Sequence, residues 1–308
     1  MQFSEGAPII ERVLCALDVE HPILGAVSLA GLIATRFGVP LEVLHVEASA
    51  GARGFQSNAN QVAKLMATHN AGQRLEQLIE GRGGPESTTT RLALGSPVAS
   101  ILERSALSGN DLIVLGARQR SDLGWQFRTD IARQVSALAA CATLTAHDRD
   151  QPDKIERILV PVDLGAVTAR AIAWALMFAQ RFAAEVHVLH VVSRERRSER
   201  AQQVGRASSV AADVGARVAE LAHGLTRSGV QATSDVVIAR SVVSGITDCN
   251  ARGEFDLLVL GLSGPPGGAP RLTRGVAATL RNRMSIPVLS VRQTTDDSPN
   301  SASGVGSR

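Results

Sequence analysis

The chain has 308 residues, about twice the usual length of a single domain, so two buried cores are expected. Hydrophobic residues make up 44% and charged residues 20%, which excludes a disordered or fibrous protein. Aromatic residues make up only 3%, which disfavours a stacking platform for single-stranded nucleic acid. The net charge of +3 comes from basic and acidic residues interleaved along the chain, so no nucleic-acid partner is expected.

No targeting or membrane segment is predicted. Glu5 and Glu11 lie in the first residues, which lack the basic-led apolar core of a secretory signal. The longest fully apolar stretch, 171–179, is less than half of the roughly 20 residues that cross a bilayer. The three cysteines are widely separated, without the spacing of a disulfide framework or a zinc site. We therefore expect a cytoplasmic protein with no membrane partner, no metal centre and inert thiols.

Short β-branched runs alternate along the chain with longer segments of helical period. The strands predicted in the first half are 11–18, 41–47, 88–94, 111–116 and 141–146. The strands predicted in the second half are 156–163, 185–192, 233–239, 256–261 and 286–292. One helical stripe in the second half is formed by Val204, Ala207, Ala211, Val214, Val218, Leu221 and Leu225. The pattern predicts the α/β class, with a five-stranded parallel sheet in each half and helices on both of its faces.

The two halves repeat each other at a constant displacement of 145 residues. The three matching pairs of segments are 12–18 with 157–163, 43–46 with an identical Val-Leu-His-Val at 188–191, and 111–116 with 256–261. One displacement serving three separate motifs indicates a duplicated domain. The predicted division is a first domain at 1–147, a linker at 148–153, a second domain at 154–293 and a disordered tail at 294–308.

Four strand motifs of the second half resemble those of the universal stress proteins, and specifically of their tandem two-domain type. They are Val-Pro-Val-Asp at 160–163, Leu-His-Val at 189–191, Asp-Leu-Leu-Val-Leu-Gly at 256–261 and Pro-Val-Leu-Ser-Val at 287–291. The resemblance implies two Rossmann-like domains of the adenine nucleotide alpha hydrolase-like type. It also implies that the halves pack as a pseudo-dimer through their fifth strands, which would cover exposed sheet edges. Whether two chains then form a homodimer is left open.

The resemblance further implies ATP binding, with adenine near the first-strand Asp and the second-strand Val, and phosphates on a loop of pattern Gly-x2-Gly-x9-Gly-Ser/Thr. The second half carries over Pro161, Asp163, Val191, Gly261 and Gly264, with Arg274 at the next family position and Gly275 one residue late. The first half matches at Asp18, Val46 and Gly116, but has Gln119, Thr129 and Asp130 where the family has two glycines and a hydroxyl residue.

Charge at the helix after the phosphate loop favours the second half as the binding site. In the first half, Thr129 is placed to cap this helix and Asp130 to supply the negative charge that its N-terminus attracts. In the second half, Arg271 and Arg274 stand at the same helix start, a placement that suits a bound anion. Against binding, the loop 261–270 contains three prolines, which remove amide donors, so a plain surface turn is the alternative.

Several candidate residues also have a structural interpretation. Asp18 and Asp163 would either contact a ligand or cap the following helix. His45 and His190 lie within apolar strands and lack further ligands at metal spacing, so they are predicted to be structural. A cluster of arginines in the first half is interpreted as a solvated face and consists of Arg118, Arg120 and Arg128.

The sequence carries no recognised catalytic motif. Receiver-like signalling domains share the α/β plan, but they need an Asp after the third strand, where Gly95 and Arg240 stand. We therefore predict a non-catalytic stress-response module that binds ATP or a related adenine nucleotide in the second domain, with Mg only alongside the nucleotide and at most slow hydrolysis. The alternative is a ligand-free interaction scaffold in which both sites have decayed. Its protein partners are unknown.

Overall fold

A computed structural model describes residues 7–48, 58–82, 84–117, 131–147, 154–194, 207–262 and 273–292, without the side chains of 58–68, 207–212 and 273–274. The strands are β1 (Val13–Ala16), β2 (Leu41–Ala48), β3 (Thr89–Gly95), β4 (Leu112–Gly116), β5 (Ala142–Ala146), β6 (Arg157–Pro161), β7 (Glu185–Ser193), β8 (Ala232–Ala239), β9 (Leu257–Leu262) and β10 (Val288–Arg292). The helices of these ranges are α1 (Leu24–Phe37), α2 (Asn58–Ile79), α3 (Pro97–Ser108), α4 (Ile131–Leu138), α5 (Thr168–Phe182), α6 (Ala207–Arg227), α7 (Val242–Gly253) and α8 (Thr273–Arg283).

All ten strands join one sheet in the order β3-β2-β1-β4-β5-β10-β9-β6-β7-β8. Pairing is parallel within each half and antiparallel between β5 and β10. The predicted class and the five strands per half are confirmed, and each strand ends within two residues of its predicted limit. Within the described ranges no helix is both long and apolar enough to cross a membrane.

The two halves are related by a pseudo-two-fold axis at the β5–β10 pair. Leu144 lies opposite Leu289, its own equivalent in the repeat, so the axis passes between these two residues. This arrangement confirms the predicted packing through the fifth strands. It also removes two strand edges that would otherwise be open to pairing with other chains.

Helices α1 and α5 meet across the same axis and exchange equivalent contacts. The Arg36 guanidinium lies 5.8 Å from the Phe182 ring centroid, and the Arg181 guanidinium lies 5.4 Å from the Phe37 centroid. Phe178 packs against both of these rings, with its centroid 5.4 Å from that of Phe37 and 6.0 Å from that of Phe182. Such a reciprocal exchange is the geometry of a symmetric dimer interface, here within one chain.

The apolar residues are distributed differently on the two faces of the sheet. On the face covered by α1, α2, α5 and α6, one core runs without interruption from the first half into the second. It includes Val218 and Leu225 from the predicted helical stripe, while Val214 and Leu221 pack against it. On the opposite face, α3 and α4 cover one core and α7 and α8 cover another. The continuous core couples the halves energetically, because its burial requires both.

Some predictions concern residues that the structure does not describe. These residues are the linker at 148–153, the tail at 294–308 and Val204. Ala207 and Ala211 lie in the first turns of α6, but their side chains are not described. The domain boundaries therefore stay a prediction.

Candidate functional site

In each half the strand order reverses between the first and fourth strands, and ligands of open parallel sheets bind beyond the carboxyl ends of strands at such a point. In the second half this point lies between β6 and β9, where Asp163 follows β6 and Gly261 lies near the end of β9. In the first half it lies between β1 and β4, where Asp18 and Gly116 hold the equivalent positions.

Asp163 is exposed and forms a turn directly after β6. Its Oδ1 accepts hydrogen bonds from the Gly165 amide at 2.8 Å and the Thr168 hydroxyl at 3.4 Å. Leu164, between Asp163 and Gly165, has a positive φ of 59°, a backbone conformation that a leucine adopts rarely and here in a tight turn. The N-cap of α5 is Val167, so Asp163 is not the helix cap. Among the described residues Oδ2 has no hydrogen-bond partner, and one carboxylate oxygen therefore remains available to a ligand.

Asp18, the equivalent of Asp163, has both carboxylate oxygens engaged. Its Oδ1 accepts from the Glu20 amide at 3.0 Å, and its Oδ2 lies 3.5 Å from Nδ1 of His21. The second half has Ala166 at the position of His21 and therefore lacks this contact. The two aspartates thus occupy the same place in the fold, but Asp18 is already paired.

Further carboxylates lie at the same end of the first half. Glu20 accepts from Arg74 at 2.7 Å, and Glu47 lies in β2 directly after the predicted contact residue Val46. These two glutamates and α2 line a polar cavity of about 480 Å³. The second half has Gly165 and Val192 at the positions of the two glutamates, so its edge carries less negative charge.

The glycines at the ends of β4 and β9 have a packing role. A Cβ at Gly116 would lie 2.5 Å from the Cβ of Ile23, and one at Gly261 would lie 3.0 Å from Cγ1 of Val167. In both halves the residue that approaches the glycine is the N-cap of the first helix. These two glycines therefore do not by themselves indicate a bound phosphate.

Pro161 ends β6 at the switch point, and Val191 lies near the end of the neighbouring strand β7. Pro161 ends β6 opposite Leu189, so the backbone at Val191 extends beyond the last residue paired with β6. The Val191 side chain packs into the core, where its Cγ1 would lie 2.5 Å from a Cβ at Gly245. A ligand at this edge would meet the main chain of Val191.

The predicted phosphate loop is only partly described. Gly264 lies outside the described residues, as do Arg271 and, in the first half, Arg118, Gln119, Arg120, Arg128, Thr129 and Asp130. Arg274 lies in the first turn of α8, with its side chain outside the description. Gly275 is described, and a Cβ there would meet no atom of the described residues within 4 Å. Crowding by these residues therefore does not require glycine at position 275.

The two repeated histidines have structural hydrogen bonds. His45 Nδ1 lies 3.0 Å from the carbonyl oxygen of Leu17, and His190 Nδ1 lies 2.8 Å from that of Val162. Each imidazole therefore holds the chain that leaves the first strand of its half. No group of three His, Cys, Asp or Glu side chains that could hold a metal occurs among the described residues.

Burial raises the pKa of all three cysteine thiols, to about 12 for the fully buried Cys15. Thiolates are the reactive form, so thiol chemistry is suppressed at neutral pH.

A pair of aspartates that sequence reasoning used only for the repeat also has a structural role. Asp111 Oδ2 accepts from the amides of Glu11 and Arg12 at 2.7 and 3.2 Å. Asp256 Oδ2 accepts from Glu156 and Arg157 at 2.8 and 2.9 Å. Asp111 thus links the start of β4 to the residues just before β1, and Asp256 links the start of β9 to the start of β6.

At the candidate site, sequence reasoning missed the turn at Asp163, although Asp-x-Gly is a recognisable turn signal.

A family model described as "Universal stress protein family" matches residues 10–147 and again 154–292. This chain belongs to the universal stress protein family. Its two copies of the family domain make it a tandem member. No curated protein sequence matches the chain at a significant level.

Solved universal stress proteins share the fold. One from Archaeoglobus fulgidus matches with a TM-score of 0.69 and 15% identity, covering 91% of this chain and 98% of that one. A functionally unknown protein from Pseudomonas aeruginosa matches with a TM-score of 0.59 and 19% identity, covering 96% of both chains. A putative universal stress protein from Pseudomonas aeruginosa matches with a TM-score of 0.59 and 19% identity, covering 92% of this chain and 93% of that one.

Proposed function

We propose that this universal stress protein binds ATP or a related adenine nucleotide at the carboxyl edge of its second domain. Pro161, Asp163 and Val191 would line the adenine and ribose end of the site. The phosphates would be held by Gly261, Gly264, Arg274 and Gly275. The proposal agrees with what the resemblance to the family implies.

The observation that carries the proposal is the difference between the two strand-end aspartates. Asp163 keeps Oδ2 free among the described residues, whereas both oxygens of Asp18 are engaged by Glu20 and His21. A ribose hydroxyl or an adenine amino group needs an acceptor at this place, and only the second half offers one without breaking an existing contact.

Charge supports the same choice of domain. A nucleotide carries several negative charges, and at the first domain's edge it would approach Asp18, Glu47 and the ion pair of Glu20 with Arg74. The second domain has uncharged Gly165 and Val192 at the positions of these two glutamates. Like charges at short range disfavour binding, so the second domain is the better seat for a polyanion.

We propose that the protein acts without catalysis, as a module whose occupancy shifts a conformational equilibrium read by protein partners in the cytoplasm. Mg would enter only with the nucleotide, on its phosphates. Asp163 already accepts two hydrogen bonds at Oδ1 and lies at a turn, so it is placed for ligand contact rather than for activating a water. Hydrolysis would then be slow at most.

A ligand-free scaffold is the second candidate, and one observation favours it. The strand-end glycines Gly116 and Gly261 are explained by packing against Ile23 and Val167, without any ligand. In that case the repeated motifs would preserve the fold alone, and the paired domains would present surfaces to partners.

Titration calorimetry with ATP and Mg tests the proposal. We expect Asp163→Ala and Arg274→Glu each to weaken binding at least tenfold, because the first removes an acceptor and the second reverses a charge beside the phosphates. Asp18→Ala is the matched control at the equivalent position and should leave the affinity unchanged. An unaltered affinity in both second-domain variants would place the site elsewhere, and no binding at millimolar ATP would favour the scaffold.

A further inference from the structure

A second cleft lies between the two halves, away from the proposed nucleotide site. It has a volume of about 280 Å³. Ile9, Asp111 and Cys141 line it from the first half, and Arg170, Trp174 and Arg292 from the second. It shares no residue with the proposed nucleotide site.

Both arginines of this cleft have buried nitrogens without partners. Nε of Arg170 and Nη1 of Arg292 are inaccessible to solvent and make no hydrogen bond within the part of the chain that the structure describes. Arg292 is only 5% exposed. Its Nη2 donates to the carbonyl oxygens of Ser136 and Ala137 at 3.0 and 2.7 Å, at the last turn of α4. The Arg292 side chain is thus held in place by Nη2, while Nη1 has no hydrogen-bond partner among the described residues.

Neither arginine forms an ion pair with a carboxylate of the described residues, and the acceptors of Arg292 are neutral carbonyl oxygens at the end of α4. An arginine stays protonated in a protein, and a buried cation is costly unless an anion or several acceptors face it. Burial lowers the pKa of the Arg292 guanidinium, with no carboxylate acting against that shift. Asp111 lies on the cleft wall, but its Oδ2 accepts two backbone amides, and it forms no ion pair with either arginine among the described residues.

The pseudo-symmetry shows that the fold does not require these arginines. At the related position on the other side of the axis, Gly25 stands for Arg170 and His147 stands for Arg292. Leu29 likewise replaces Trp174. The same helices and strands therefore pack without these two arginines on that side, and the arginine pair occurs at only one of the two equivalent places.

We propose that this interdomain cleft binds a small oxoanion, a phosphate or carboxylate group, between Arg170 and Arg292. Guanidinium groups present forked donors that match the oxygens of both kinds of anion. The volume exceeds the roughly 30 Å³ share of one water several times, so a small oxoanion fits. Because the cleft is built from both halves, an anion bound there would strengthen the association between the domains.

Thermal unfolding with inorganic phosphate or sodium acetate, at ionic strength matched with sodium chloride, tests the inference and separates the two anion classes. We expect one of the two to raise Tm by about 2–3 °C in a saturable way, because a ligand that binds only the native state stabilises it by mass action. Arg170→Met should weaken the apparent affinity at least tenfold. Because Arg292 also hydrogen-bonds to α4, the second variant is Arg292→Lys, which keeps the positive charge but lacks the paired donors of a guanidinium group.

Two controls separate this site from other effects of salt. Arg227→Met alters an exposed arginine that pairs with Glu220, and Asp163→Ala alters the proposed nucleotide site; both should retain the saturable rise. A general salt effect on burial would be linear in concentration and equal in every variant. The inference is overturned if neither anion gives a saturable rise, or if the rise is the same in Arg170→Met and Arg292→Lys as in the unaltered protein.

Discussion

Cys15 is a fully buried thiol in β1 whose pKa is raised by desolvation from 9.0 to about 12. This thiol ionises near pH 9 in the unfolded chain but stays protonated in the folded chain. Its contribution to the free energy of unfolding is therefore complete below pH 9, and ionisation in the unfolded chain removes it progressively toward pH 12. The protein contains no tyrosine, so no phenol titrates in the same window.

The free energy of unfolding should therefore fall between pH 9 and pH 10.5, as measured by urea denaturation. Cys15→Val keeps the volume without the titrating group and should show a smaller fall. Equal pH dependence in the two proteins would contradict this explanation.

The two strand-end glycines are expected to differ in their tolerance of a methyl group. At Gly116 the added Cβ would lie 2.5 Å from the Ile23 Cβ, whereas at Gly261 the closest approach is 3.0 Å to a side-chain methyl of Val167. Gly116→Ala should therefore destabilise by roughly 1–3 kcal/mol and Gly261→Ala by less. Urea denaturation of the two variants measures the difference, and a larger loss for Gly261→Ala would contradict these packing distances.

Residue-level features were the least predictable from the sequence. The metal-free role of His45 and His190 could be argued from missing ligands, but their carbonyl partners depend on where the chain turns after the first strand. Arg170 and Arg292 belong to no local motif, and only the antiparallel β5–β10 pairing brings them to one cleft.

At the scale of elements, two equivalent serines begin equivalent helices in different ways. Ser241 caps α7 with its side chain and forms a capping box with Ser244. Ser96 holds the same position before α3 but makes no side-chain cap bond, and Ala99 stands where Ser244 would complete the box.

Ser241→Ala should cost about 1 kcal/mol of stability, while Ser96→Ala should cost clearly less. The two free energies of unfolding from chemical denaturation provide the comparison. Equal losses would mean that the side-chain bond at Ser241 contributes nothing.

The elements themselves were well predicted, because parallel strands covered on both faces appear as nearly continuous apolar runs. The largest errors, of two residues, were at both ends of β1, at the end of β6 and at the start of β10. The first strand predicted in the second half continues to Asp163, but β6 ends at Pro161, since the chain turns there toward Gly165. Hydrophobicity marks burial, and a buried residue such as Val162 can follow a strand without being part of it.

At the scale of the whole molecule, the continuous core and the exchanged Arg–Phe contacts predict that both domains unfold together. Phe37→Ala, in the first domain, should destabilise by roughly 3 kcal/mol, because Phe37 packs on Phe178 and Phe182 of the second. In a Trp125→Phe background, the fluorescence of Trp174 reports the second domain at its interface with the first, and its transition should shift together with that of circular dichroism.

Phe255→Ala is the control for this coupling, because Phe255 packs on His187 and Arg157 on the far side of the second domain. It should lower stability without changing the contacts between the domains. If Trp174 fluorescence in the Phe37→Ala protein kept its original midpoint while circular dichroism shifted, the domains would be independent.

The duplicated fold supplies two equivalent candidate nucleotide sites, one in each domain, and these sites differ in their side chains. The sequence predicted this asymmetry from the loop glycines, while the described structure adds the pairing of Asp18 with His21 and the glutamates beside it.

Nucleotide binding by the second domain alone is tested by a crystal of the full chain grown with ATP and Mg. We expect nucleotide density at the carboxyl ends of β6 and β9, with a contact to Asp163, and none beside Asp18. Density at the first domain alone would contradict it.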